Sequence, residues 1–351
     1  MSSSSEYTKA HMGFYTDKLA LKCAVLAPMA GFTDAPFRKL CREAGSAWAV
    51  TEMVSAKGLV QGDLRGVEIG EPYAGEPDLV IQVFGGEPDI VAAGGRILYE
   101  KYAPAALDLN MGCPVKKVTG KSCGSKLMLD PERSAEIIAA LKKSVPVPVS
   151  AKLRLGYDEV NVLEVAAALA EAGADVLAIH GRTAAQKYTG VADWESIYKV
   201  AESVNVPIIG SGDVQTREQF AAHSARGLGV MVARGAMGRP WLFAELRGEA
   251  APNAEEKART AYRHALLHLD WYGATAAEAM PEKEAWAMRS LRAQLIAYFG
   301  FLDARTEVVK ISSLRDLRAF IEAKLGIDVS DERVAGFRRM GDSFFVVRES
   351  D

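Results

Sequence analysis

Eight short apolar runs, each followed by a polar break and an amphipathic stretch of helical period, leave this chain few folds to choose from. The runs are Ala24–Pro28, Ala47–Glu52, Leu79–Phe84, Ala105–Asn110, Val147–Leu153, Val176–His180, Val206–Gly210 and Leu228–Val232. They are nearly continuous in apolar character, as strands must be when helices cover both faces of a parallel sheet. Helix starts are legible between them. Asp130-Pro131 places a capping residue before a proline, and Thr216 with Gln219 three residues on forms a capping box. Eight such βα units in about 230 residues predict a TIM (β/α)8 barrel, with a doubly wound open sheet as the alternative.

In a barrel, reactive groups collect at the C-terminal ends of the strands. Those ends read Pro28-Met29-Ala30-Gly31, Glu52-Met53, Gln82, Asn110 with Cys113, Lys152 with Arg154, His180-Gly181-Arg182, Ser211-Gly212-Asp213 and Ala233-Arg234-Gly235. Each has an ordinary structural explanation taken singly. Gathered on one rim, so many polar groups would be costly to bury without a ligand. Cys113 lies on a stiff turn between Gly112 and Pro114, and is either a small buried hydrophobe or a site thiol. Gly212 and Gly235, after the seventh and eighth runs, suit a phosphate held by backbone N–H groups, with Arg234 as a charged clamp. A flat ring tethered there would reach Lys152 and Gln82. A cation can stabilise the charge of a reduced flavin, and an amide can bond its pyrimidine edge.

Composition narrows the class. The chain has 351 residues, 49% hydrophobic and 25% charged, which is room for one large globular domain and one small one. No run approaches the ~18 apolar residues of a membrane span. The start, Met1-Ser-Ser-Ser-Ser-Glu6, lacks the profile of a signal peptide, so a cytoplasmic protein without membrane contact is expected. Cys23, Cys41, Cys113 and Cys123 form no CxxC pair and no metal spacing, so free thiols and no metal are expected. A net charge of -3 argues against coating nucleic acid by bulk charge but leaves a local basic patch open.

Taken together, Leu26-Ala-Pro-Met-Ala-Gly-Phe-Thr-Asp34, Thr51-Glu-Met53, Gln82-Val-Phe-Gly85, Asp108-Leu-Asn-Met-Gly-Cys-Pro114, Lys152-Leu-Arg154, His180-Gly-Arg-Thr183 and Arg234-Gly-Ala-Met-Gly-Arg-Pro-Trp241 resemble the tRNA-dihydrouridine synthases. The resemblance covers roughly residues 20 to 245. It implies an FMN enzyme that reduces selected uridines of tRNA to 5,6-dihydrouridine with NADPH. It implies Cys113 as the acid that protonates C5 while reduced flavin delivers hydride to C6, with Asn110 beside it. It implies flavin contacts from Pro28, Met29, Ala30, Gln82, Lys152, His180, Ser211, Gly212, Asp213, Ala233, Arg234 and Gly235. It implies a substrate side at Arg154, Arg182, Gln186 and Tyr188. Ser211-Gly-Asp213 and Leu291-Arg-Ala-Gln294 depart from the family's usual segments, Asn-Gly-Asp and Met-Arg-Lys-His in type.

After about Pro240 only helical periodicity remains, over Glu255–Gly273, Lys283–Phe299, Ser312–Leu325 and Asp331–Arg339. The expected division is a flexible arm at 1–18, an FMN-binding barrel at 19–248 and a small all-α domain at 249–351. In the family that last domain grips tRNA, and Arg289, Arg292 and Arg315 are the candidate phosphate contacts in a locally basic stretch. A monomer is expected. The alternatives are an FMN barrel reductase of a free pyrimidine or other small molecule, a Schiff-base aldolase using Lys152, and a tRNA-binding protein that has lost catalysis.

Overall fold

The structure is a computed structural model of the chain, and it describes residues 13–63, 68–274 and 281–332. Among the described residues nine strands, all paired in parallel, form one closed sheet: β1 (Val25–Leu26), β2 (Ala49–Val50), β3 (Val54–Ser55), β4 (Leu79–Phe84), β5 (Ala106–Asn110), β6 (Val149–Arg154), β7 (Val176–His180), β8 (Ile208–Ser211) and β9 (Gly229–Val232). Strand order runs β2-β1-β9-β8-β7-β6-β5-β4, and the β2–β4 pairing closes the ring of eight. The chain is therefore a TIM barrel, as the run spacing predicts. The second run differs from expectation. It breaks after Val50, and a short β3 resumes against β4 two pairs further along, with Val54 beside Val83. The break points Thr51 inward, where its Oγ1 accepts from the Gln82 N–H at 3.1 Å.

Helices of seven or more residues are numbered α1 (Phe14–Ala20), α2 (Ala35–Glu43), α3 (Pro88–Tyr102), α4 (Pro131–Ser144), α5 (Val162–Glu171), α6 (Trp194–Ser203), α7 (Arg217–Ala225), α8 (Ala254–Trp271), α9 (Pro281–Tyr298) and α10 (Leu314–Leu325). Asp130 caps α4, and Thr216 with Gln219 closes a capping box on α7. Strand period then sorts the side chains. Ile81, Leu107, Leu109, Ala151, Leu153, Leu177 and Ile179 pack outward with the helices in the main core. Inside the barrel, a lower apolar layer of Val25, Val80, Ala106, Val176, Ile209 and Met231 gives way, two residues on, to the polar Gln82, Asp108 and Ser211 on three of these strands and to alanine on the other three. This taper puts the chemistry at the C-terminal mouth.

The expected flexible arm ends earlier than residue 18. Residues 1–12 lie outside the described residues, but Phe14–Ala20 is helical, and Phe14 and Tyr15 are buried against Trp48 as a plug under the barrel. Two large aromatics on one turn gain more by burial than the segment loses in freedom.

The C-terminal helices build their own core around Ala261, Leu269, Met288, Leu295, Phe299 and Ile321. Asn253 and Glu256 box-cap α8, which lies against α2. His268 Nδ1 sits 2.8 Å from Asp34, Arg263 pairs with Glu43 at 2.8 Å, and Gln294 Oε1 accepts from the Gly238 N–H at 2.6 Å. Burial pushes the Asp34 carboxyl up, but the bond and charge of His268 outweigh it and hold it below its ordinary value. Gln294, in the segment that departs from the family, is thus a buried structural link. Of the fourth expected helix, residues 333–339 lie outside the described residues.

Candidate active site

A cavity of about 990 Å³ opens at the C-terminal mouth. It is lined by Pro28, Met29, Ala30, Gln82, Asn110, Cys113, Lys152, Arg154, His180, Tyr188, Ser211, Gly212, Asp213, Ala233, Arg234 and Gly235, among others. All were legible as strand-end or loop residues.

One end of the cavity is an overdriven cationic cluster. Lys152 is half-buried, and among the described residues no acceptor takes its ammonium; loss of solvent, then Arg154, pushes it down to about 8 against a pull from Asp108. His180 is pushed down to about 2 by burial and by the charges of Lys152, Arg154, Arg182 and Arg234, so it is neutral at physiological pH. Arg182 Nη1, a donor only, faces His180 Nε2 at 3.3 Å, which leaves the ring proton on Nδ1. Tyr188 roofs this end, its ring 4.7 Å from the Arg234 guanidinium and 5.6 Å from that of Arg154. Asp213 neutralises part of this charge, pairing with Arg182 at 2.6 Å and Arg234 at 3.4 Å, and the excess left at Lys152 and Arg154 fits an anionic ligand. The backbone agrees. Gly212 has φ +137°, and a Cβ there would meet Ala192 Cβ at 2.5 Å. Arg234 and Gly235 begin a single 3₁₀ turn whose first N–H groups have no partner within the turn. A phosphate with a flat ring beyond it therefore fits the donors present.

The other wall carries the thiol. Cys113 is half-buried, and every peptide group around it is held: Asn110 Oδ1 accepts its N–H at 3.0 Å, its carbonyl accepts from the Ser125 N–H at 3.0 Å, and Arg154 Nε donates to the Gly112 carbonyl at 2.7 Å. Gly124, at φ +60°, passes so close beneath that a Cβ would lie 2.8 Å from the Cys113 carbonyl oxygen. The thiol is thus presented from a fixed backbone.

Two expected substrate contacts need correction. Arg182 does not line the cavity; it is buried, donates to the Thr189 and Gly190 carbonyls, and pairs with Asp213 at 2.6 Å. Gln186 does not line it either, since its Oε1 accepts the Thr183 N–H at 2.7 Å. Both hold the Thr183–Gly190 loop in shape. Arg154 reaches the cavity but also ties that loop, donating to the Thr183 and Lys187 carbonyls at 2.8 Å. Arg289 and Arg315 are exposed on α9 and α10, Arg292 is half-buried, and none lines the cavity. Phe32, Tyr157, Lys116 and Met237 line it without having been assigned a role from sequence. Met53, read from sequence at the second strand end, lines it as well.

Among known proteins, the family described as dihydrouridine synthase (Dus) matches residues 25–311. A probable tRNA-dihydrouridine synthase of Rhizobium leguminosarum bv. phaseoli is 39% identical over 84% of this chain and 91% of its own length. tRNA-dihydrouridine synthase B of Pseudomonas putida is 39% identical over 71% and 77%, and that of Pseudomonas aeruginosa 40% over 71% and 78%. Barrel, thiol turn and match agree: the chain belongs to the dihydrouridine synthase family.

Proposed function

We propose that this chain reduces specific uridines of tRNA to 5,6-dihydrouridine, with FMN as resident cofactor and NADPH as reductant. The observation that carries it is a fixed thiol facing, across one cavity, a cationic cluster that Asp213 neutralises only in part. Relatives named for this reaction support the substrate. Bound flavin supplies the hydride for C6 of the uracil. Cys113 gives its thiol proton to C5. Lys152, Arg234 and the N–H groups at Gly212 and Gly235 hold the cofactor's phosphate and polar edge. Neutral His180 donates from Nδ1 without adding charge. Met29 packs on the ring, and Tyr188 and Arg154 close the substrate side. Residues 19–248 form the catalytic unit in this reading, and 249–351 the unit that grips tRNA through Arg289, Arg292 and Arg315. A cytoplasmic monomer is the form proposed. Among the described residues no helix is long and apolar enough to cross a membrane.

The test is a visible spectrum of purified protein, followed by NADPH and then unmodified tRNA under anaerobic conditions. Flavin bands should bleach with NADPH and recover only with tRNA. Recovery with free uridine instead would favour a small-molecule reductase, and failure to take up FMN would sink the reading.

Lys152 gives a pH test that needs no turnover. Its folded-state pKa of about 8 lies below the ordinary lysine value, so the ammonium is present at pH 7 and lost as pH rises through 8. Affinity for FMN should therefore be flat below about pH 7.5 and fall above 8, by up to about tenfold per pH unit. Fluorescence titrations at pH 7 to 9.5 would show this slope, and Lys152→Met should remove it. A slope that survives in Lys152→Met would take Lys152 out of the cofactor site.

A further inference from the structure

Five buried side chains inside the barrel form one line of hydrogen bonds that begins far below the cavity and ends at the thiol turn. The Tyr15 hydroxyl on α1 donates to Ser150 Oγ at 2.8 Å, and Ser150 donates to Asp108 Oδ1 at 2.6 Å. The other Asp108 oxygen accepts from Gln82 Nε2 at 2.7 Å. Gln82 Oε1 accepts from Asn110 Nδ2 at 2.7 Å, and Asn110 Oδ1 accepts the N–H groups of Cys113 at 3.0 Å and Gly112 at 3.3 Å. All five residues are less than a tenth exposed.

Two links in this line are amides, and an amide fits its slot either way round. Asp108 as a carboxylate does not, because it only accepts; burial pushes its carboxyl up, and the Ser150 and Gln82 bonds and the charge of Lys152 act the other way. Facing Asp108, Gln82 must present its NH₂. That leaves Oε1 toward Asn110, which must present its own NH₂ and so turns Oδ1 toward the Cys113 turn. With the line reversed, the Asn110 NH₂ would meet two backbone N–H donors, and buried donors would be left without acceptors.

We propose that Asp108 is a positioning residue for the Cys113 turn: as the acceptor-only node of the line, it sets the direction of the Gln82 and Asn110 amides and so the backbone that presents the thiol. Its catalytic consequence rests on the proton-donor reading of Cys113.

Asp108→Asn breaks this logic without changing size. The new amide at position 108 can match Gln82 only by leaving a hydroxyl hydrogen near Ser150 unmatched, or can match Ser150 only by reversing the line. Hydrogen–deuterium exchange of residues 110–115, read on protein without tRNA, should quicken at least tenfold, and kcat should fall at least tenfold with tRNA Kd within twofold of wild type. Ser150→Ala removes one donor but keeps the acceptor node, and both readouts should stay within about threefold. Adding Asn110→Asp to Asp108→Asn reverses the two amide links and keeps the rest: position 108 donates to Gln82, Gln82 donates to the new carboxylate, and that carboxylate still accepts the Cys113 N–H. Exchange protection should return, which a purely structural loss would not do. Should Asp108→Asn fail to fold, Gln82→Met cuts the line with the carboxylate in place and should loosen the same segment. Protection unchanged in Asp108→Asn, or in Gln82→Met where that is the variant read, overturns the proposal, as does a double variant as loose as the single one. A loosened turn with unchanged kcat supports the positioning and overturns the role of the thiol instead.

Discussion

Cys113→Ala should lower dihydrouridine formation on unmodified tRNA by about 10²–10⁴-fold, the usual worth of a positioned acid. The expectation is this sharp because the side chain is separable from the fold. The contacts that hold the turn are made by the Cys113 peptide groups, Asn110, Ser125 and Arg154, and none uses the sulfur. Alanine should therefore keep flavin affinity, tRNA affinity and the melting temperature, and lose only the proton. Single-turnover oxidation of the prereduced enzyme by tRNA measures that step directly. Cys113→Ser should recover little, since a hydroxyl is a far weaker acid than a thiol. Undiminished turnover in Cys113→Ala would assign the proton to another group.

The largest stability effect is expected at Arg38, far from the chemistry. Arg38 is fully buried on α2 and grips Glu76 by two bonds, Nε at 2.7 Å and Nη2 at 2.8 Å, while donating to the Thr33 and Glu71 carbonyls at 3.0 Å. Burial opposes the charge on Arg38, and Glu76 more than restores it. This clamp ties the β3–β4 connection to the Met29–Thr33 wall of the cavity, where Thr33 Oγ1 accepts the Met29 N–H at 3.0 Å. Arg38→Ala leaves the Glu76 carboxylate buried and unpaired, at a cost of about 3–5 kcal/mol. Removing both charges, as Arg38→Met with Glu76→Leu, should recover much of that loss. Urea denaturation of the three proteins tests it. Equal midpoints for the single and double variants would show that packing, not the uncompensated charge, sets the cost.

Legibility divided along a physical line. The barrel was readable because burial on both faces makes each strand a continuous apolar run, and because caps such as Asp130 and Thr216 act within three residues. The first three C-terminal helices were placed within a few residues for the same reason. Residue type at a strand end also marked the rim, and Gln82, Asn110, Lys152, His180 and Ser211 line one cavity, while Glu52 does not. What each polar group bonds to was not readable. Arg154 and Arg182 look alike in sequence as candidate substrate cations. In the fold, Arg182 is used up on the Thr189 and Gly190 carbonyls and on Asp213, while Arg154 keeps one face on the cavity. Gln186 likewise closes a turn with Thr183. The N-terminal segment was misjudged because its reason to fold is remote, Tyr15 meeting a hydroxyl 135 positions away.

By itself, then, the sequence determined the repeat, the rim and the thiol on its stiff turn, since these follow from local periodicity and short-range backbone chemistry. Only the tertiary structure decided which cations remain free, which way the buried amides point, and that Asp108 stands between α1 and Cys113. Those outcomes depend on donors and acceptors brought together from strands 26 to 135 residues apart, and no local pattern encodes such a pairing.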